Sequence, residues 1–113
     1  VPVPLYQAKA DFFRTLGHPV RIRVLELLQD GPRPVRELLA DIGVEASNLS
    51  QQLAVLRRTG LVMSQREGGE VLYRLSTPQV VELLRAARAI LTDMLADQGE
   101  LLAELRGSRE EES

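Results

Sequence analysis

The sequence predicts a mainly α-helical fold with one small β-hairpin, about five helices plus the hairpin in a single domain spanning residues 1–113. Three observations carry this. Apolar residues recur at helical spacing in segments separated by Gly and Pro. A Gly68-Gly69 pair sits between two short runs rich in apolar and β-branched residues, which is a hairpin signature. Just ahead of that hairpin, small polar residues crowd the start of a helix whose later positions are apolar.

Each element has a local reason. Leu5, Ala8, Phe12 and Leu16 share one face of a first helix, with Phe13 beside them and Gly17 at its end. His18-Pro19 opens a second helix, since proline suits the first helical position. Ile22, Leu25 and the Val24–Leu28 pair give it an apolar side, and Asp30-Gly31-Pro32 stops it. A short third helix starts after Pro34 and runs from Val35 to Asp41, with Leu38 and Leu39 inward and Gly43 closing it. The fourth helix covers about 46–59, where Leu49, Leu53 and Leu56 repeat at i, i+4, i+7. The hairpin covers about 61–75. Thr77-Pro78 reads as a cap followed by proline, starting a last helix over about 78–106. The acidic tail from Gly107 onward is expected to fray. A helix, a short turn, a second helix and then a hairpin is the layout of a winged helix-turn-helix.

The last helix carries a second message. Val80, Leu84, Ala87, Leu91, Met94, Gln98, Leu101 and Leu105 alternate at intervals of four and three, a heptad seam interrupted once by Gln98. Such a helix extends roughly 40 Å at 1.5 Å per residue. A domain of 100 residues has a radius of gyration of only about 13 Å, so part of the seam needs a partner helix. An identical chain is the simplest supplier. Leu5, Phe12, Leu84, Leu91, Met94, Leu101 and Leu105 are the expected dimer residues. Gly99 either ends this helix early or lets a second helix approach closely.

Composition narrows the function classes. There are 113 residues, no cysteine, one histidine and a net charge of −2. The absence of cysteine excludes disulfides and thiolate metal sites within this chain. Ten basic and eight acidic residues lie up to position 76, against four basic and eight acidic from 77 onward. The acidic excess therefore belongs to the last helix and tail, leaving the helix-turn-helix segment slightly basic. No apolar run approaches the ~20 residues that cross a bilayer. The opening Val-Pro-Val-Pro shows no leader pattern, and the cytoplasm is the expected compartment. No nucleophile-base pair, phosphate-binding loop or cofactor fingerprint appears, so neither catalysis nor a cofactor is expected. Asp93, Asp97, Glu100 and Glu104 fall at helical spacing, but solvated carboxylates on a long helix explain them, and no metal site is expected. His18, at a helix start, reads as a cap or packing residue.

The recognition chemistry centres on Ser47, Asn48, Ser50 and Gln51. Their hydroxyls and amides both donate and accept, as base edges in the major groove require, although a solvated face with Ser47 as a cap is the plainer alternative. Arg57, Arg66 and Arg74 are the expected phosphate contacts. Glu67 and Glu70 flank the hairpin tip, so the wing is expected to contribute weakly or through backbone amides. Tyr73 reads as packing.

The chain resembles the ArsR/SmtB family of winged-helix transcriptional repressors. The resemblance spans about 12–105. It rests on Phe13-Arg14-Thr15-Leu16-Gly17-His18-Pro19-Val20-Arg21-Ile22-Arg23-Val24-Leu25, on Ser47-Asn48-Leu49-Ser50-Gln51-Gln52-Leu53-Ala54-Val55-Leu56-Arg57, on Gly60-Leu61-Val62 and Arg66-Glu67-Gly68, and on Val71-Leu72-Tyr73-Arg74-Leu75. It implies that the first and last helices form a homodimer and that the fourth reads double-stranded DNA, with Ser47, Asn48, Ser50 and Gln51 at contact positions. Gln52 stands where many members have His, which leaves its contact open. Many relatives sense metals through Cys near the recognition region or Asp and His on the last helix. This chain has no Cys and no His there, so it looks like a metal-independent member whose inducing ligand is open. Two rival functions remain from the residues alone. One is a winged helix used only for protein interaction. The other is a small-molecule-responsive regulator with a pocket at the dimer seam near Phe12, Phe13 and Met94.

Overall fold

The computed structural model describes residues 2–112. In chain order it holds α1 (Leu5–Leu16), α2 (Pro19–Leu27), a 3-10 turn (Leu28–Asp30), β1 (Arg33–Pro34), α3 (Val35–Ile42), α4 (Ala46–Arg58), β2 (Val62–Glu67), β3 (Glu70–Leu75) and α5 (Gln79–Glu112). The chain divides into two compact units, Val1–Val81 and Glu82–Ser113. Among the described residues, five helices and a small antiparallel sheet form the architecture expected from the pattern, a winged helix-turn-helix.

In the first unit, one apolar core joins the helices. Val24, Leu25 and Leu28 enter it from α2 and its 3-10 turn, Leu38 from α3, and Leu49, Leu53 and Leu56 from α4. Leu16, Val20, Leu61, Val62 and Val80 complete the set. His18 caps α2: its Nδ1 accepts from the Val20 amide at 3.2 Å. Gly43 closes α3 with φ 73°, a left-handed conformation that glycine adopts without steric cost, and its amide donates to the Leu39 carbonyl at 2.9 Å. Leu25 is fully buried. Leu25→Ala is expected to cost about 2–5 kcal/mol. That is a large share of the ~5–15 kcal/mol typical of a whole domain. Urea denaturation checks it, and a destabilisation below about 1 kcal/mol would contradict this placement.

The sheet has one strand more than the sequence pattern suggests. β3 is central, with β2 on one side and β1 on the other, all antiparallel. Arg33 pairs with Tyr73 and Pro34 with Leu72. Two residues carry no periodicity, so β1 is invisible to pattern reading. Proline holds its predecessor extended, and the edge of a sheet tolerates its missing N–H. The hairpin turn is Gly68-Gly69, with φ of 59° and 84°. Both values are positive, as the two-residue type I′ turn demands.

The second unit is helical. α5 continues past the expected end near Arg106 through Gly107 to Glu112, and Gly99 does not interrupt it. Within the chain, a Cβ placed at Gly99 would meet nothing within 4 Å. Ile90, Leu91, Met94, Leu95, Leu101, Leu102 and Leu105 all leave more than half their surface in solvent. Leu84 is half-buried. Among the described residues no helix is long and apolar enough to cross a membrane.

Candidate nucleic-acid interface

α4 has two chemically opposite sides. Leu49, Gln52, Leu53 and Leu56 are buried, which locks the helix to the core. Ser47, Ser50, Gln51 and Ala54 are exposed, and Arg57 and Arg58 are exposed in its last turn. Positions 47, 50, 51 and 54 repeat at i, i+3, i+4, i+7, so they form one solvent-facing stripe. The N-cap is Glu45, whose side chain makes no capping bond. Ser47 therefore lies inside the first turn rather than capping it.

Asn48 does not belong to the open stripe. It is half-buried, and its Oδ1 accepts from Gln52 Nε2 at 3.0 Å. Gln52 is only 8% exposed. Its Oε1 in turn accepts from Arg21 Nε on α2 at 2.7 Å. The Arg21 guanidinium also donates to the Thr15 carbonyl at 3.0 Å, in the last turn of α1. A polar chain thus runs from α1 through α2 to α4. The sequence alone leaves the role of Gln52 open. The burial of positions 49, 52, 53 and 56 on one side of α4 settles that this residue faces the interior.

The wing separates its arginines. Cross-strand partners share a sheet face and alternate residues change face. The pairs Val62–Leu75, Ser64–Tyr73 and Arg66–Val71 therefore lie on one face, while Met63–Arg74, Gln65–Leu72 and Glu67–Glu70 lie on the other. Arg66 is exposed on a face with no acidic neighbour in the hairpin. Arg74 is half-buried, donates from Nε to Gln65 Oε1 at 3.2 Å, and shares its face with both wing glutamates. Among the described residues, none of Arg57, Arg58, Arg66 and Arg74 enters an ion pair.

Glu70 is less repulsive to phosphate than the sequence suggests. Arg36, at the start of α3, donates from Nε to Glu70 Oε1 at 2.7 Å. That hydrogen bond, with the attraction of the two charges, holds the Glu70 carboxyl below its usual range and raises the Arg36 guanidinium. Thirty-four positions separate the partners, so no local pattern announces the pair. It also ties the tip of the wing to the helix-turn-helix. Among the described residues, no three His, Cys, Asp or Glu side chains gather where they could hold a metal.

A core-anchored helix with an open polar side, preceded by a short helix and followed by a hairpin, defines the winged helix-turn-helix class of nucleic-acid-binding proteins. Comparison with known proteins agrees. The model for "Bacterial regulatory protein, arsR family" matches residues 18–64. An HTH-type transcriptional regulator of Mycobacterium tuberculosis, Rv0081, is 52% identical over 91% of this chain and 91% of its own length. The crystal structure of Rv0081 superposes with a TM-score of 0.77, covering 86% of this chain and 98% of that one. The biofilm growth-associated repressor of Agrobacterium fabrum is 35% identical over 80% of each chain. A homodimeric winged helix-turn-helix DNA-binding domain from Mycobacterium bovis, Mb0332, is 27% identical with a TM-score of 0.70, over 80% of this chain and 84% of that one. The chain belongs to the arsR family of bacterial regulatory proteins. It is a transcriptional regulator whose DNA-binding element is the winged helix-turn-helix described above.

Proposed function

We propose that this regulator acts in the cytoplasm as a homodimeric repressor that binds an imperfect inverted repeat and excludes polymerase from a promoter. The observation that carries this is α4 itself, whose apolar side is fixed in the core while Ser47, Ser50 and Gln51 stand free. In this reading Ser47, Asn48, Ser50 and Gln51 meet base edges, and Arg57, Arg66 and Arg74 hold phosphates. One arginine on each face of the hairpin suits a wing lying edge-on against a groove flanked by two phosphate chains. α1 and α5 each offer apolar side chains to a second copy: Leu5 and Phe12 from the former, Leu84, Leu91, Met94, Leu101 and Leu105 from the latter. The homodimeric state of the Mycobacterium bovis relative supports a pairing of two chains. No cofactor is required.

Selection of bound genomic fragments, followed by competition gel shifts at low and moderate salt, tests the proposal. Recovery of one enriched inverted repeat supports it, and binding no tighter than to random duplex overturns it. Arg66→Ala is expected to weaken all duplexes about equally. It should also flatten the log K against log salt slope by roughly 0.9 for each phosphate that is no longer neutralised. An unchanged slope would remove Arg66 from the interface.

A further inference from the structure

We infer that Arg21 and Gln52 are positioning residues that fix which end of the Asn48 amide faces the DNA, and so set the base Asn48 selects. The inference deepens the reading of α4 as the base-reading helix and rests on it. Its starting point is the directed chain Arg21 Nε to Gln52 Oε1, 2.7 Å, then Gln52 Nε2 to Asn48 Oδ1, 3.0 Å.

The direction of this chain is dictated by chemistry. A guanidinium has donors only. The end of Gln52 that meets Arg21 must therefore be its carbonyl oxygen, which turns the amide nitrogen toward Asn48. That nitrogen only donates, so Asn48 must present Oδ1 to it. The Asn48 Nδ2 amino group is the end left for an outside partner. Reversing either amide would set donor against donor beside a buried side chain, and buried polar groups without partners are costly. Among the described residues, no buried side-chain nitrogen or oxygen lacks a partner. The Thr15 carbonyl holds the guanidinium from its other side, so the start of the relay is fixed as well.

In the major groove the consequence is specific. An N–H donor at Asn48 suits guanine, which presents the acceptors O6 and N7, and is rejected by cytosine, which presents only the N4 amino donor. Exchanging a G·C for a C·G pair at the position beneath Asn48 is therefore the sharpest contrast, with guanine on the contacted strand preferred.

The test compares base preferences from selection on randomised duplexes for the wild type, Asn48→Ala, Gln52→Glu and Gln52→Met. Asn48→Ala identifies the position, which should lose its guanine preference in each half-site. Gln52→Glu keeps an acceptor for Arg21 but cannot donate to Asn48. The Asn48 amide then turns over, and the guanine-to-cytosine ratio at that one position should reverse, by about tenfold in all. Any uniform loss of affinity from the added charge cancels in this ratio. Gln52→Met fills similar space without polar groups, releases Asn48, and should bring the ratio toward one even if the glutamate variant folds poorly. A purely structural role for Gln52 would move affinity or stability but not this single ratio. If Asn48→Ala erases a preference that Gln52→Glu and Gln52→Met leave intact, the relay is overturned while the reading of α4 stands. If Asn48→Ala changes no position, Asn48 is not a base reader, and the inference falls with that part of the reading.

Discussion

Leu91→Glu combined with Met94→Glu should convert the regulator to a monomer and lower its operator affinity by about 10²–10⁴-fold. Both side chains are more than half exposed in the single chain, at 55% and 53%, so its own fold depends little on them. Glutamate is also a good helix former, which leaves α5 intact. Burial of each Leu or Met in a second copy is worth about 1.5–3 kcal/mol, and charge at a closed seam reverses that gain. Two joined recognition helices bind through effective concentration, and separating them forfeits the avidity. Sedimentation equilibrium and gel shift read the two effects, with circular dichroism confirming helix content. A variant that stays dimeric would remove Leu91 and Met94 from the interface.

The second large effect concerns specificity alone. Ser50→Ala with Gln51→Ala should lower the ratio of operator to random-duplex affinity by about a hundredfold or more. A good base contact carries roughly 1–3 kcal/mol of discrimination, and each half-site loses two reading side chains. Both residues are exposed on α4, and alanine is the best helix former, so the fold and the dimer persist. Phosphate-driven binding remains, and with it the salt dependence. The measurement is a competition titration beside a sedimentation run. An unchanged ratio would show that these side chains do not read bases.

The helices and the hairpin are legible in the sequence because their causes are local. Leu49, Leu53 and Leu56 repeat with the helical period, His18-Pro19 announces a cap, and Gly68-Gly69 demands a tight turn. Features made by distant partners are not legible. β1 exists only because Arg33 and Pro34 meet Tyr73 and Leu72, about forty positions away. Arg36 neutralises Glu70 from another element. Gln52 stays open in the sequence because it stands where many family members have His, yet it is buried and bonded to Arg21 thirty-one positions earlier. The length of α5 exceeds its expected end for a different reason. Glycine costs a helix only about 1 kcal/mol, too little to stop a long one at Gly99 or Gly107. At the candidate site, the stripe of Ser47, Ser50 and Gln51 follows from spacing alone. The bond that ties Asn48 to Gln52 and the split of Arg66 and Arg74 between two sheet faces emerge only with register and tertiary contacts.

The proposed twofold pairing is tested most directly by hydroxyl-radical footprinting of the wild type on a selected operator, with the chain-to-duplex ratio measured on the same complex. Two chains per duplex should protect two half-sites whose centres lie one helical turn apart, about 34 Å, on one side of the DNA. A single protected patch with one chain per duplex would contradict it.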